Sequence, residues 1–300
     1  MTSSTARPAG TVSSASPGFA TPPTAWERVK LARHPERPHT LDYLDDLVTE
    51  FIELHGDRAF GDDRALIGGL GTFRGRTVLV LGHQKGANTR ENIARNFGMA
   101  RPEGYRKADR LLRHAEKFAI PVVSFIDTPG AEPGIGSEER GQATAIAEAL
   151  LTMAGLAVPI VAVVIGEGGS GGALAIGLAD RILMLENAIY AVASPEACAA
   201  ILWKDAAKAP EAAATMRITA AELREFGFID ELILEPVPAH LRRRETITAV
   251  GDAIERHLDA LAPLAATPEA LIAQRYAKFR QIGAWREETQ RASGLPPEVG

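Results

Sequence analysis

The sequence has one cysteine, Cys198, so an internal disulfide is excluded and no cysteine set is left for a zinc site. That residue lies in the apolar helical run 197–203, where a buried structural thiol is expected. No apolar run reaches the roughly 18 residues that a membrane-spanning helix needs. Positive charge is not in excess, and a net charge of −5 argues against a general nucleic-acid binder. A Gly-x-x-x-x-Gly-Lys-[Ser/Thr] loop is also lacking, so Asp127-Thr128-Pro129-Gly130 has no phosphate-binding partner to make a GTPase. What is left is a globular chain with 46% hydrophobic residues, enough for one large core or two modest ones, and a cytoplasmic location is expected.

Residues 1–24 are mostly Ser, Thr, Ala, Pro and Gly and are expected to be a disordered tail. With one arginine, Arg7, the tail is a poor organelle address. An N-terminal helical segment is expected over 25–60. It begins with a short amphipathic stretch at Trp26 that stops before Pro35. A second helix is predicted after Thr40, from the spacing of Leu41, Leu44, Leu47, Val48 and Phe51. A core follows over 61–240, and helices are expected over 241–300, where Ile254, Leu258, Leu261, Leu271, Tyr276 and Phe279 recur at helical spacing.

Within the core, 65–73 and 77–84 read as paired strands around Arg74-Gly75-Arg76. The stretch 85–99 has no clear period, and 103–118 reads as a helix. Between Lys85 and Arg113 there are eight Lys or Arg against three Asp or Glu, a surplus suited to phosphates, to an acidic partner, or to a solvated helix face. From Ile120 the pattern alternates: strand 121–126, loop 127–136, helix 138–154, strand 159–165, a glycine loop, and a buried helix 173–179. Strand 181–193, helices 195–204 and 219–226, and strand 231–234 complete it. Strands separated by single helices imply an α/β fold with a mostly parallel sheet.

The glycine loop, Gly166-Glu167-Gly168-Gly169-Ser170-Gly171-Gly172, has five glycines in seven positions and sits between a buried strand and a helix. Such a turn lets a ligand approach the main chain. Three roles fit it. Gly168-Gly169-Ser170-Gly171-Gly172 satisfies Gly-x-Ser-x-Gly, so Ser170 could be a hydrolase nucleophile. The triad would then need His240 or His257, both in surface-like contexts. Alternatively, the N–H groups of Gly171 and Gly172 stabilise an oxyanion. The third role is packing alone, a helix set tightly on a sheet. A second glycine-rich turn, 127–136, also follows a parallel strand, and ligands gather at such strand ends.

Several runs resemble one family, in one order along the chain: Leu31-Ala-Arg-His-Pro-Glu-Arg-Pro38, Glu53-Leu-His-Gly-Asp-Arg58 and Arg95-Asn-Phe-Gly-Met-Ala100. Ile126-Asp-Thr-Pro-Gly-Ala131, the run from Gly166 to Ile176, and Ser194-Pro-Glu-Ala-Cys-Ala-Ala-Ile-Leu-Trp-Lys204 continue the match. By these the chain is similar to the α subunits of the bacterial and plastid acetyl-CoA carboxylase carboxyltransferase.

The resemblance implies a crotonase-like spiral of strand-strand-helix units and an α2β2 enzyme with active sites between α and β. It implies carboxyl transfer from carboxybiotin, held on a biotin carboxyl carrier protein, to acetyl-CoA, giving malonyl-CoA for fatty-acid synthesis. ATP would be consumed by a separate biotin carboxylase subunit. The zinc ribbon belongs to the β subunit, so no metal is expected in this chain. In that setting Gly171 and Gly172 would supply N–H groups to the ureido oxygen of biotin, where negative charge develops. Gly168 and Gly169 would shape the turn, and Gly130, Ala131 and Gly134 would line the facing wall. Neither a membrane nor a specific nucleic acid enters this scheme, and a non-catalytic scaffold subunit is the remaining alternative.

Overall fold

The computed structural model describes residues 22–283. The expected disordered tail lies outside the described residues except for 22–24, and so does the end of the expected C-terminal helical segment, beyond 283. Thr24 caps α1 (Ala25–Ala32): its hydroxyl accepts the Glu27 N–H at 3.2 Å, and the Glu27 carboxylate takes the Thr24 N–H at 2.7 Å.

The helix α2 spans Thr40–Leu47, and there the first departure from expectation occurs. Val48 and Phe51 lie not in the helix but in β1 (Val48–Glu53), so the expected helical segment 25–60 contains an edge strand. Val48 and Phe51 sit three residues apart yet share a face because the ladder is bulged between Thr49 and Ile52, with Glu50 at φ 53°. The bulge imitates a helical period in the letters. The strands β2 (Leu66–Phe73) and β3 (Arg76–His83) form the expected hairpin. Arg74 and Gly75 make its turn with φ 46° and 82°, the mirror-image geometry that suits the twist of two strands.

The aperiodic stretch holds a short helix, α3 (Thr89–Ala94), capped by Asn88, and a 3₁₀ turn at Asn96–Gly98. Next come α4 (Pro102–Lys117) and β4 (Val122–Thr128). The predicted helix 138–154 is split into α5 (Ile135–Glu139) and α6 (Gln142–Gly155), because Gly141 turns left-handed between them at φ 81°. The central strand β5 is long, Ile160–Gly169, and α7 (Ser170–Leu174) is only five residues. Thus the first glycines of the supposed loop continue the strand, and the buried helix expected over 173–179 is short. The single strand expected over 181–193 is two, β6 (Arg181–Leu185) and β7 (Ile189–Ala191). Then follow α8 (Pro195–Trp203), α9 (Ala209–Met216), α10 (Ala220–Glu225), β8 (Glu231–Ile233), α11 (Arg243–Ala265) and α12 (Pro268–Arg280).

The strands form one sheet in the order β1-β2-β3-β4-β5-β6-β8, with β7 also paired to β5. Among the named strands of the described residues, β1–β2–β3 pair antiparallel and the others pair parallel. The middle strands β4 and β5 are buried throughout save the last residue of β5, and this agrees with their unbroken apolar runs. The core lies between the sheet and helices α4, α6 and α11. The helix α12 is anchored by Arg275, which is fully buried and donates to Asp180 and to the carbonyls of Met153, Leu156 and Val158.

Acidic side chains also fasten loops. Burial works against the charge of Asp57, but the N–H groups of Ala59, Phe60 and Gly61 and the Arg106 guanidinium outweigh it and hold the carboxyl down at about 2. A depressed carboxyl stabilises the fold above its ordinary value of about 4 and ceases to do so as pH falls through the depressed value. Asp57→Asn is therefore expected to flatten the loss of thermal stability between about pH 4 and pH 2, read by melting at stepped pH. An unchanged slope would show that Asp57 contributes nothing in that window.

Candidate active site

The strand β5 changes neighbours partway along its length. Val161–Val164 pair with Arg181–Met184 of β6, whereas Glu167–Gly169 pair with Ile189–Ala191 of β7. On its other side, β4 and β5 run in register to Ile126↔Val164 and resume at Thr128↔Gly168. One residue, Asp127, thus faces three: Ile165, Gly166 and Glu167. The bulge aims the end of β5 and the start of α7 into the turn that follows β4.

There the two glycine-bearing turns meet. A Cβ on Gly169 would overlap the Pro129 carbonyl oxygen, and one on Gly172 would stand 2.6 Å from the Gly130 carbonyl carbon and 2.7 Å from Ala131 N. Main chain lies directly on main chain, which only glycine permits. Gly130 is tied in turn by Thr128, whose hydroxyl donates to Gly130 O at 2.7 Å and accepts from Gly130 N at 3.1 Å. Gly168 packs on the Tyr190 ring. By contrast Gly171 is open, its nearest neighbour being Ile146 at 3.6 Å from a built Cβ. Gly134 begins α5 beside the Glu132 carboxylate. Gly130 and Ala131 are therefore brought against Gly172, while Gly134 borders Glu132.

Ser170 makes the turn from strand to helix at φ 50°, a left-handed conformation uncommon outside glycine, and its side chain is exposed. With Gly171 it lines a mostly apolar cavity of about 390 Å³ walled by Leu174, Tyr190, Val192, Leu223 and Phe228. The two later histidines are engaged elsewhere: His240 stacks on His34 with ring centroids 3.7 Å apart, and His257 Nε2 lies 2.8 Å from Glu231. Neither is the bare surface side chain that the sequence suggests. Burial pushes the His83 imidazole down to about 4, so it is neutral near pH 7.

Behind the turn lies a charged cluster that the sequence did not single out. Lys85 Nζ donates to Asp127 Oδ1 at 2.7 Å and Glu167 Oε2 at 3.1 Å. His39 Nδ1 lies 3.0 Å from Asp127 Oδ2, and Arg33 bridges Glu167 and Glu196, each at 2.6 Å. Burial pushes Lys85 down and Asp127 up. Their mutual attraction, with Glu167 acting on Lys85 and His39 on Asp127, outweighs burial, so Lys85 sits above its ordinary range and Asp127 well below the carboxylate range. Deeper still, Arg37 holds Glu235 through two bonds of 3.0 Å. The one local signal was a charge in an otherwise apolar run, such as Asp127 or Glu167, and the partners lie far away in sequence.

Other expectations change here. Of the eight basic residues between 85 and 113, three are turned inward onto acids, Lys85 on Asp127, Arg106 on Asp57 and Lys107 on Asp62, while Arg113 pairs with Asp109 on the exposed face of α4. Cys198 is half-buried, not buried, because α8 turns only Pro195 and Ala199 inward. Among the described residues no group of three or more His, Cys, Asp or Glu is placed to hold a metal ion.

The sheet is mostly parallel with facing glycine turns at its strand ends, and solved structures with the crotonase-like fold superpose on the chain. A transcarboxylase 12S structure with methylmalonyl-coenzyme A covers 76% of this chain and 44% of its own, at TM-score 0.58 and 22% identity. A Pseudomonas malonate decarboxylase hetero-tetramer in complex with coenzyme A covers 80% of this chain and 95% of its own, at TM-score 0.60 and 18% identity. More narrowly, the chain belongs to the acetyl co-enzyme A carboxylase carboxyltransferase-like family, whose model matches residues 19–283. The acetyl-coenzyme A carboxylase carboxyl transferase subunit alpha of Aquifex aeolicus is 56% identical over 262 residues, covering 87% of this chain and 80% of its own.

Proposed function

We propose that this chain is the α subunit of an acetyl-CoA carboxylase carboxyltransferase, which moves a carboxyl group from carboxybiotin to acetyl-CoA to form malonyl-CoA. The observation that carries the residue-level reading is the contact of Gly172 with Gly130 and Ala131 beside an apolar cavity. A fused bicyclic ring with a polar oxygen at one end suits such a cavity, whose polar edge is Ser170 and the N–H of Gly171. Carboxybiotin, when bound, would supply the carboxyl group, and the biotin left after that group has gone would take up the methyl proton of the acetyl group. The N–H groups of Gly171 and Gly172 hold the charge that develops on the ureido oxygen. Gly168 and Gly169 let the turns close, and Gly130 and Ala131 form the facing wall. The apolar wall of Leu174, Tyr190, Leu223 and Phe228, once covered by a partner subunit, would keep water out and strengthen those hydrogen bonds. Gly134, which borders the Glu132 carboxylate at the start of α5, is assigned to the same wall by the family resemblance alone.

The site is half of an active site. Val192, Ile201 and Leu202 are 82%, 68% and 62% exposed around the cavity and α8, an apolar face suited to a subunit partner. The partner is a zinc-ribbon β subunit that holds acetyl-CoA and completes an α2β2 assembly. The biotin carrier protein delivers the carboxyl group, and biotin carboxylase, which consumes ATP, reloads it. All of these act in the cytoplasm; among the described residues no helix is long and apolar enough to cross a membrane.

Ser170→Ala separates this function from a serine hydrolase. In the assembled enzyme the alanine variant is expected to keep carboxyl transfer within about threefold of wild type, since loss of a true nucleophile costs orders of magnitude. An assembled but inactive alanine variant would reinstate Ser170 as the reacting group.

A further inference from the structure

The bulge in β5 leaves main-chain groups that no ladder partner reaches, and side chains take them. Asp127 Oδ1 accepts the Glu167 N–H at 3.0 Å, and Arg37 Nε donates to the Ile165 carbonyl at 2.6 Å. Gly166 lies flat against the Asp127 carboxylate, where any Cβ would overlap Oδ1. Lys85 then closes the bulge from the far side by bonding both Asp127 and the Glu167 side chain. Asp127 and Lys85 have side chains only 1% and 14% exposed, so solvent screens this pair little.

We propose that Lys85 and Asp127 form a positioning pair, which locks the β5 bulge and thereby aims the main chain of Gly168–Gly172 at the cavity. The inference rests on the proposed role of Gly171 and Gly172. Two extra strand residues amount to roughly 6.6 Å of chain, so a bulge that slips carries the donors far beyond the scale of about 1 Å at which misplacement costs about 10²-fold in rate. A buried ion pair is weak evidence of stability, because desolvation opposes its attraction. An apolar pair could fill the same space but could not accept the Glu167 N–H, so the ionic pair serves geometry. Arg33, bonded to both Glu167 and Glu196, extends the lock to the first turn of α8.

The test uses the tetramer reconstituted with the β subunit, acetyl-CoA as acceptor and carboxylated carrier protein as donor. Lys85→Met and Asp127→Ala are each expected to lower kcat about 10²-fold. The KM for acetyl-CoA should stay within about twofold, a split that a general loss of structure does not produce. The double variant should be no slower than the slower single one, because the two residues act as a unit. Lys85→Arg should recover most of kcat, and amide exchange across 167–172 should quicken in the slow variants alone. An assembled Lys85→Met tetramer with wild-type kcat overturns the proposal, as does a double variant whose losses multiply. If Asp127→Ala does not assemble, the Lys85 variants and the exchange data decide; if Lys85→Met also fails to assemble, a role in folding replaces the one proposed. Gly172→Val is assayed alongside. If it is slow and Lys85→Met is not, only the positioning role falls; if neither is slow, the role of the glycines falls with it.

Discussion

Gly172→Val is expected to lower malonyl-CoA formation by about 10² to 10³-fold, the usual cost of one oxyanion donor. The reason is spatial before it is electronic. The first carbon of any side chain at 172 would stand 2.6 Å from the Gly130 carbonyl carbon, so the turn and α7 must separate. That movement displaces the 171–172 N–H pair and opens the wall made by Gly130 and Ala131. Gly171 provides the control for packing, since a Cβ there meets only Ile146, at 3.6 Å, an ordinary contact. Gly171→Ala should therefore fold and assemble normally. Wild-type turnover from an assembled Gly172→Val enzyme would remove the proposed donors.

The second large effect falls on stability. Arg37→Leu is expected to destabilise the protein by about 3–5 kcal/mol, because it strands the buried Glu235 carboxylate without its cation. Burial works against the Arg37 charge, and the facing carboxylate of Glu235 outweighs it. Glu235 also accepts the N–H groups of Asn187, at 2.6 Å, and Ala239, at 3.0 Å, and these bonds would remain while the charge went unpaired. The Ile165 carbonyl loses its donor as well. Chemical denaturation of wild type and variant measures the difference, and a shift under about 1 kcal/mol would show that Glu235 finds other compensation.

Local patterns made much of this fold legible, and the exceptions share physical causes. The apolar runs of β4 and β5 are short-range features that a sequence states directly. The strand β1 was hidden because its bulge gives Val48 and Phe51 a helical interval. The helix α9 has no large apolar stripe: its buried residues are Ala209, Ala212 and Ala213. Gly166–Gly169 looked like a loop because glycine weakens strands in general, yet here each flanks an approaching group, from the Asp127 carboxylate to the Pro129 carbonyl. The placement of two glycine-rich turns at parallel strand ends was legible, but the facing of Gly130 and Ala131 was foreshadowed only by the family resemblance. The ion cluster had only a charge in an apolar run to announce it, and its pairings had no signal, since Arg33, Arg37 and His39 reach partners more than 80 residues away. Periodicity carries no information about such pairings.

The most direct measurement of the central claim is reconstitution of this chain with a zinc-ribbon β subunit, followed by an assay of carboxyl transfer from carboxylated carrier protein. Acetyl-CoA and propionyl-CoA are offered as acceptors. The expected result is malonyl-CoA formed only when both subunits are present, with neither subunit active alone. A tetramer that assembles but transfers no carboxyl group, or a lone chain that turns over an ester through Ser170, would contradict the proposed function.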